Sequence, residues 1–238
     1  MMLKEKIKQL PFIKKLLQGL DNFYCREEFI LKSLGEISSG ENILDAGCGS
    51  QQFKKYCSHL IYKSQDFGKY EDDDKKGFAS DSGKYIYGKI DYVGNVWQID
   101  EKSNYFDNII CTEVFEHIPY PIETVKEFSR LIKSGGKLIL TAPSNCLRHM
   151  DPYYFYSGFS DRWYETILKE SNFEIIKLET VGDYYSWLRV EIFRAMAKHS
   201  LISKLILFPA FIFYSSIKKT VASKNTLCMG YHIIAIKK

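Results

Sequence analysis

The chain has 238 residues, room for one large domain or one domain with decorations, and its 45% hydrophobic and 26% charged content is that of a globular protein, not a disordered or fibrous one. Its six cysteines form no CxxC pair and several lie inside apolar runs, which argues for buried reduced thiols and against a disulfide framework or a zinc site. The net charge of +4 is unevenly spread: residues 1–20 carry five lysines against Glu5, and residues 192–238 carry Arg194 and seven lysines with no acid, so the middle of the chain is acidic.

In chain order, apolar spacing from Lys4 to Ile37 predicts two amphipathic helices split near Gln18–Asn22. The first apolar cluster, LPFIKKLLQGL, is broken by two lysines and a proline and does not read as a signal peptide. NILDA predicts a short buried strand, SQQFKKYCSHL a helix and IYKSQD a second strand. Residues 67–88 are polar and glycine-bearing, and read as a loop. KIDYVGN and FDNIICTE predict the third and fourth strands. PIETVKEFSRLIKSGG predicts a helix, with acids early, Lys133 late and a glycine stop. KLILTAPS is a fifth strand, DRWYETILKESN a helix, FEIIKLETVG a sixth strand and CMGYHIIAIKK a last one. Strands alternating with helices imply a mostly parallel α/β sheet covered on both faces.

The chemistry concentrates in ENILDAGCGSQQF, residues 41–53. Gly47 and Gly49 let backbone approach a ligand with no Cβ in the way, beside the first strand, where such sheets bind nucleotides. A dinucleotide fingerprint wants a third glycine where Gln52 stands, and a phosphate loop needs a GK[ST] ending that is absent. Asp45 at the strand tip would repel a pyrophosphate and attract a cation, such as the sulfonium and ammonium of S-adenosylmethionine. Asp66, at the end of the second strand, can accept two ribose hydroxyls. Asn95, with the backbone of Val96, can pair with an adenine edge.

The ordered set ILDAGCGS, SQDF, YVGN, FDNIICTEVFEHIPYP and LIKSGGKLILTAPS resembles the class I S-adenosylmethionine-dependent methyltransferases, in their small-molecule branch, over roughly Asn42 to Gly182 and the last strand. The resemblance implies a Rossmann-like seven-stranded, mostly parallel sheet with a reversed last strand. By position it implies that Asp45, Gly47 and Gly49 line the methionine moiety, that Asp66 meets the ribose and Asn95 and Val96 the adenine, and that Glu113 stands at the same rim. The sequence departs from the family in having Asn95 where an acid is common, and a polar loop where a helix is expected between strands two and three.

Methyl transfer from a sulfonium needs an in-line acceptor and, for a hydroxyl, a base. His117, just after the fourth strand, is the candidate; the competing reading is an architectural turn. Glu113, Glu116 and His117 are also similar to the E-x-x-E-H pattern that holds a divalent metal in quinone-biosynthesis O-methyltransferases and small-RNA 2′-O-methyltransferases, with His149 as a further ligand. Many relatives carry that pattern without a metal, and the expectation here is that no metal is bound.

The division expected is N-terminal amphipathic helices over 1–40, a cofactor-binding core over 41–182, a hydrophobic helical insertion over 183–226 and the returning last strand over 227–238. The apolar stretch Leu205–Ile217 is thirteen residues long and contains Pro209, short of the roughly twenty needed to span a bilayer. It reads as a lid, a dimer interface or an interfacial segment, so that residues 1–20 and 201–219 would touch a membrane peripherally from the cytoplasmic side. The function expected is a cytoplasmic methyltransferase acting on a hydroxyl of a saccharide, lipid-linked or other small amphipathic acceptor. The alternatives are metal-assisted methylation of an aromatic or quinone-like acceptor, and a scaffold subunit without catalysis. The acidic middle argues against a nucleic-acid substrate.

Overall fold

The computed structural model describes residues 22–70 and 86–238; the first of the two N-terminal helices expected from the sequence and residues 71–85 of the expected loop lie outside them. The chain divides into two units. One holds Ile30–Glu179 with Tyr231–Lys238, the other Thr180–Gly230 with residues 22–29.

The larger unit is built on seven strands: β1 (Asn42–Ala46), β2 (Ile61–Asp66), β3 (Tyr92–Val93), β4 (Phe106–Thr112), β5 (Ile132–Pro143), β6 (Phe173–Val181) and β7 (Gly230–Lys237). Their order across the sheet is β3-β2-β1-β4-β5-β7-β6. β1 pairs in parallel with β2 and β4, β2 with β3, and β4 with β5. The last strand runs the other way: the Met229 amide donates to Val181 at the end of β6, and the Lys238 amide to Asn172 at its start. This is the seven-stranded sheet with a reversed last strand expected from the sequence.

Central strands of a sheet covered on both faces are apolar without alternation. Ile43, Leu44, Ala46, Ile109, Ile110, Leu138, Ile139 and Leu140 are accordingly all buried. Helix α1 (Phe23–Gly35) spans the boundary of the two units in the chain, and helices α2 (Pro121–Leu131) and α3 (Asp161–Glu170) belong to the larger unit. α2 starts on a proline, whose missing N–H costs nothing in a first turn. α3 is capped by Ser160, which accepts from the Trp163 amide.

Three local expectations are corrected. The segment after the glycine turn forms only a three-residue 3₁₀ turn, Lys54–Tyr56, and no longer helix. Gln51 there takes a φ of +57°, a left-handed conformation that breaks a helix, and its buried amide donates to the Lys89 carbonyl at 2.6 Å. The glycine pair after α2 is not a helix stop. The helix ends at Leu131, the strand begins at once with Ile132, and residues 133–136 bulge out between two stretches of ladder. Gly136 is required there because a Cβ would stand 2.5 Å from the Asp107 carbonyl oxygen. The third strand is shorter than its apolar run, with only Tyr92 and Val93 paired to β2.

The second unit contributes helices α4 (Tyr184–Lys198), α5 (Leu201–Ser216) and α6 (Val221–Thr226). α4 and α5 form a tight helical hairpin, joined by two residues and packed through Tyr185 against Tyr214 and Phe193 against Phe211. Buried Asp183 caps α4 by accepting from the Ser186 amide, and it ties α6 by accepting from the Ser223 hydroxyl at 2.7 Å.

Candidate active site

The carboxyl ends of β1, β2, β3 and β4 bring the sequence-selected residues to one rim of the sheet. β1 ends in Ala46, and the chain turns through Gly47 at φ +71° and Gly49 at φ +51°. A Cβ on Gly47 would stand 2.3 Å from Cγ2 of Val114, so the side chain that follows β4 fixes the glycine as firmly as its backbone angle does. The amides of Gly47 and Cys48 both donate to the Gln65 carbonyl at 2.9 Å. The buried Gln65 side chain also accepts from the Gly47 amide and donates to the Gly94 carbonyl at 2.6 Å. It thereby ties the glycine turn to the end of β3.

Two buried carboxylates lie behind this turn. Asp45 is 2% exposed and accepts a hydrogen bond from the Tyr62 hydroxyl at 2.7 Å. Burial pushes its pKa up to about 7; the Tyr62 bond pulls the other way, and the negative charge of Asp66 adds to the rise. Asp66, 6% exposed, accepts from the Gly49 amide on one oxygen and the Gly68 amide on the other, each at 2.9 Å. Burial raises its pKa too, against the pull of those amides. Asn95 is exposed beyond β3, its carbonyl accepting from the Gln98 amide, while Val96 is buried beside it.

Beyond β4 the backbone is strained. Glu113 has a φ of +52°, held by its amide's bond to the Thr141 carbonyl and by the Thr141 hydroxyl, which donates to its carboxylate at 2.9 Å. A short turn, Phe115–His117, follows. His117 Nδ1 lies 2.7 Å from the Tyr153 carbonyl, which can only accept, so Nδ1 carries the proton and Nε2 keeps its lone pair. Burial, with the charge of nearby His149, lowers the His117 pKa to about 4 and keeps the imidazole neutral at ordinary pH. His149 is anchored in the same way, Nδ1 to the Leu147 carbonyl at 2.8 Å. Ligand atoms of Glu116, His117 and His149 all lie within 4.8 Å of one another, and the two imidazole rings meet edge to face at 4.7 Å. That group comprises Glu116, His117 and His149, while Glu113, first in the sequence pattern, has its carboxylate bonded to Thr141 instead.

Four residues that hold the site were not singled out in the sequence: Tyr62, Gln65, Val114 and Tyr153. Tyr62 and Gln65 read as ordinary strand residues, and only the register of β2 on β1 shows what they reach. Tyr153 lies in the aromatic run DPYYFYSGFSDRWY, and nothing local sets it apart from its neighbours. Its carbonyl orients His117 and its ring packs on Phe67.

A reversed last strand, a glycine turn after β1 and a carboxylate ending β2 are the frame of a class I S-adenosylmethionine-dependent methyltransferase. The sequence pattern of the methyltransferase domain matches residues 19–188, and the chain belongs to that family. It is similar to the ubiquinone biosynthesis O-methyltransferase of Aliivibrio fischeri, with 25% identity over 122 residues, 49% of this chain and 48% of the relative. The corresponding enzyme of a Shewanella species is 27% identical over 115 residues, 47% of each chain. The chain thus matches about half the length of these curated relatives. Among solved structures, a geranyl diphosphate methyltransferase in complex with S-adenosylmethionine shares the fold with a TM-score of 0.53 at 14% identity, covering 90% of this chain and 85% of its own. A putative sarcosine dimethylglycine methyltransferase from Galdieria sulphuraria does so with a TM-score of 0.54 at 15% identity, covering 90% and 86%. No helix among the described residues is long and apolar enough to cross a membrane.

Proposed function

We propose that the chain transfers a methyl group from S-adenosylmethionine to a hydroxyl of a small amphipathic acceptor, a saccharide or a lipid-linked molecule. When bound, the cofactor supplies an activated methyl on a sulfonium sulfur, which keeps the electron pair of the broken S–C bond. In this reading Asp45 faces the positive methionine moiety beside Gly47 and Gly49. Asp66 keeps one lone pair on each oxygen for the ribose hydroxyls, while Asn95 and the Val96 backbone meet the adenine. Glu113 closes the rim of the cofactor site.

The observation that carries transfer to oxygen is His117: a neutral imidazole at the end of β4, anchored through Nδ1, whose Nε2 lone pair can take a proton. That nitrogen lies 3.6 Å from Glu116 Oε1, a carboxylate oxygen that would favour the protonated ring. As the O–C bond forms, the acceptor hydroxyl becomes an oxonium and its acidity rises by many powers of ten. A weakly basic imidazole then suffices to receive the proton. The O-methyltransferase names of the relatives support the same reading.

A second reading has its own observation. Two imidazoles and the Glu116 carboxylate converge, a donor set that fits a divalent cation of the zinc, manganese or iron type. Glu116, His117 and His149 would hold it, and it would acidify a coordinated hydroxyl of an aromatic or quinone-like acceptor.

One experiment separates the two: turnover with alkyl glycosides and with a prenylated catechol, before and after EDTA, for the parent, His117→Ala and His149→Ala. The first reading expects His117→Ala to lose roughly 10²–10⁴-fold in turnover with unchanged S-adenosylhomocysteine affinity, and His149→Ala and EDTA to do little. Equal losses in both variants, with activity removed by EDTA and restored by Mn²⁺, would establish the second. Full turnover in His117→Ala would sink both.

A further inference from the structure

Helix α5 is apolar almost all the way round, yet among the described residues only one stripe of it is covered. Ser203, Leu207, Ala210, Phe211 and Tyr214 are partly shielded, at the spacing of one helix face, and Tyr214 and Phe211 are the residues that meet α4. No residue of α5 is fully buried. Leu201, Leu205, Ile206, Phe208, Ile212 and Phe213 are between 51% and 71% exposed. At 3.6 residues per turn these side chains sweep an arc of about 160°. Single apolar residues on a surface are ordinary, but a contiguous face of this size marks an interaction site.

Charge identifies the occupant. Between Leu205 and Ile217 there is no charged residue. Lys204 stands at one end of this stretch and Lys218 and Lys219 at the other, and no acid occurs anywhere from residue 192 to the end of the chain. Cations bracketing an apolar helix are placed to extend toward anionic headgroups while their stems stay in the apolar layer. The late hydroxyls are already satisfied within the helix, Ser215 donating to the Phe211 carbonyl and Ser216 to the Phe213 carbonyl. Moving that turn out of water therefore strands no donor. A broad convex arc is also the shape a fluid acyl layer can cover. At about 24 Å of length and with Pro209 inside it, α5 fits in the plane of the interface and is too short to cross.

We propose that α5 is an interfacial membrane-binding helix that inserts its Leu205–Phe213 face into the surface of an anionic bilayer, with Lys204, Lys218 and Lys219 on the headgroups. This does not depend on the identity of the methyl acceptor. Each basic side chain near an anionic surface contributes roughly fivefold to partitioning, and salt screens that contribution.

The test is flotation of the full-length protein with vesicles of phosphatidylcholine alone and with 30% phosphatidylglycerol (about a third anionic lipid, the range in which surface charge dominates). It is repeated at low and high salt and accompanied by sedimentation without lipid. The expected result is binding at least tenfold stronger to the anionic vesicles and weakened by salt. Ile206→Ser/Phe213→Ser should lose at least tenfold more while S-adenosylhomocysteine affinity is retained. Lys218→Ala/Lys219→Ala should lower the anionic preference about 25-fold, to what Lys204 alone supplies, without changing binding to phosphatidylcholine. Retained cofactor affinity shows that the serine variant is folded. Equal binding by the parent and the serine variant, or no flotation with either vesicle, would overturn the proposal. So would a stable dimer without lipid that the same serine substitutions dissociate, since the face would then belong to a second copy of the chain.

Discussion

Asp45→Asn is the most informative substitution at the carboxyl rim. The Asp45 carboxyl lies behind the glycine turn, 2% exposed, with its pKa moved from 3.8 to about 7. A carboxyl whose folded pKa lies above its unfolded one binds a proton more readily in the native state. Its contribution to stability is complete below about pH 4 and is lost as pH rises through 7. The difference of roughly three units, at 1.36 kcal/mol each, corresponds to about 4 kcal/mol withdrawn from the native state by pH 8. Asparagine keeps an oxygen to accept from the Tyr62 hydroxyl and never ionises. In thermal melts without added cofactor, Asp45→Asn should match the parent near pH 4. At pH 8 it should melt about 10 °C higher, at the few degrees per kcal/mol usual for a chain of this size.

If Asp45 faces the cofactor's cationic end as proposed, the same substitution should weaken S-adenosylmethionine binding at least tenfold at pH 8. In the parent, affinity should rise about tenfold per pH unit up to pH 7 and then level off. A melting difference that stays constant from pH 4 to pH 8 would refute the raised carboxyl. Undiminished cofactor affinity in Asp45→Asn would refute its role.

Gly47→Ala places a methyl against Val114 in a left-handed backbone, and should cost about 2–3 kcal/mol in urea unfolding together with cofactor affinity. Gly47→Ala/Val114→Ala should recover the part due to the clash and leave the part due to backbone angle. Asp66→Asn retains one acceptor for the Gly49 and Gly68 amides but loses the charge, and should weaken S-adenosylhomocysteine binding at least tenfold by calorimetry. Gly136→Ala, far from the rim, drives a Cβ into the Asp107 carbonyl and should cost about 1–3 kcal/mol with cofactor affinity unchanged.

The sequence displayed the sheet because its central strands β1, β4 and β5 carry apolar runs, and it displayed the rim because Asp45, Asp66, Asn95 and His117 each end or follow a strand. Local signals failed where a residue serves a partner distant in sequence. SQQFKKYCSHL carries helical spacing, yet Gln51 is committed to Lys89 across the strand ends, and no helix survives its left-handed backbone. Gly135 and Gly136 look like a helix stop because glycine is common there. Gly136 is instead required by the Asp107 carbonyl on the neighbouring strand, and Gly135 by its own left-handed φ of +80°. Tyr62, Gln65 and Tyr153 hold the site through one hydroxyl, one amide and one carbonyl. Which groups those reach follows from register and loop path, and neither is written in local pattern.

The rim also states which ligand it suits. Asp45 and Asp66 repel each other behind a turn whose three amides, at Gly47, Cys48 and Gly49, are all engaged with Gln65 and Asp66. In a phosphate-binding turn those amides point at the ligand and no carboxylate competes with it. Here the donors face inward and two raised carboxyls stand beside them, an arrangement that disfavours a pyrophosphate and rewards a cation. In the proposed reading, a sulfonium with an ammonium at one end and a ribose diol at the other would meet both carboxylates in a way that NAD could not. NAD should therefore fail to displace S-adenosylhomocysteine at any pH above 7, where Asp45 is ionised. Displacement there would mean that the turn opens its amides to phosphate and that the charge argument is wrong.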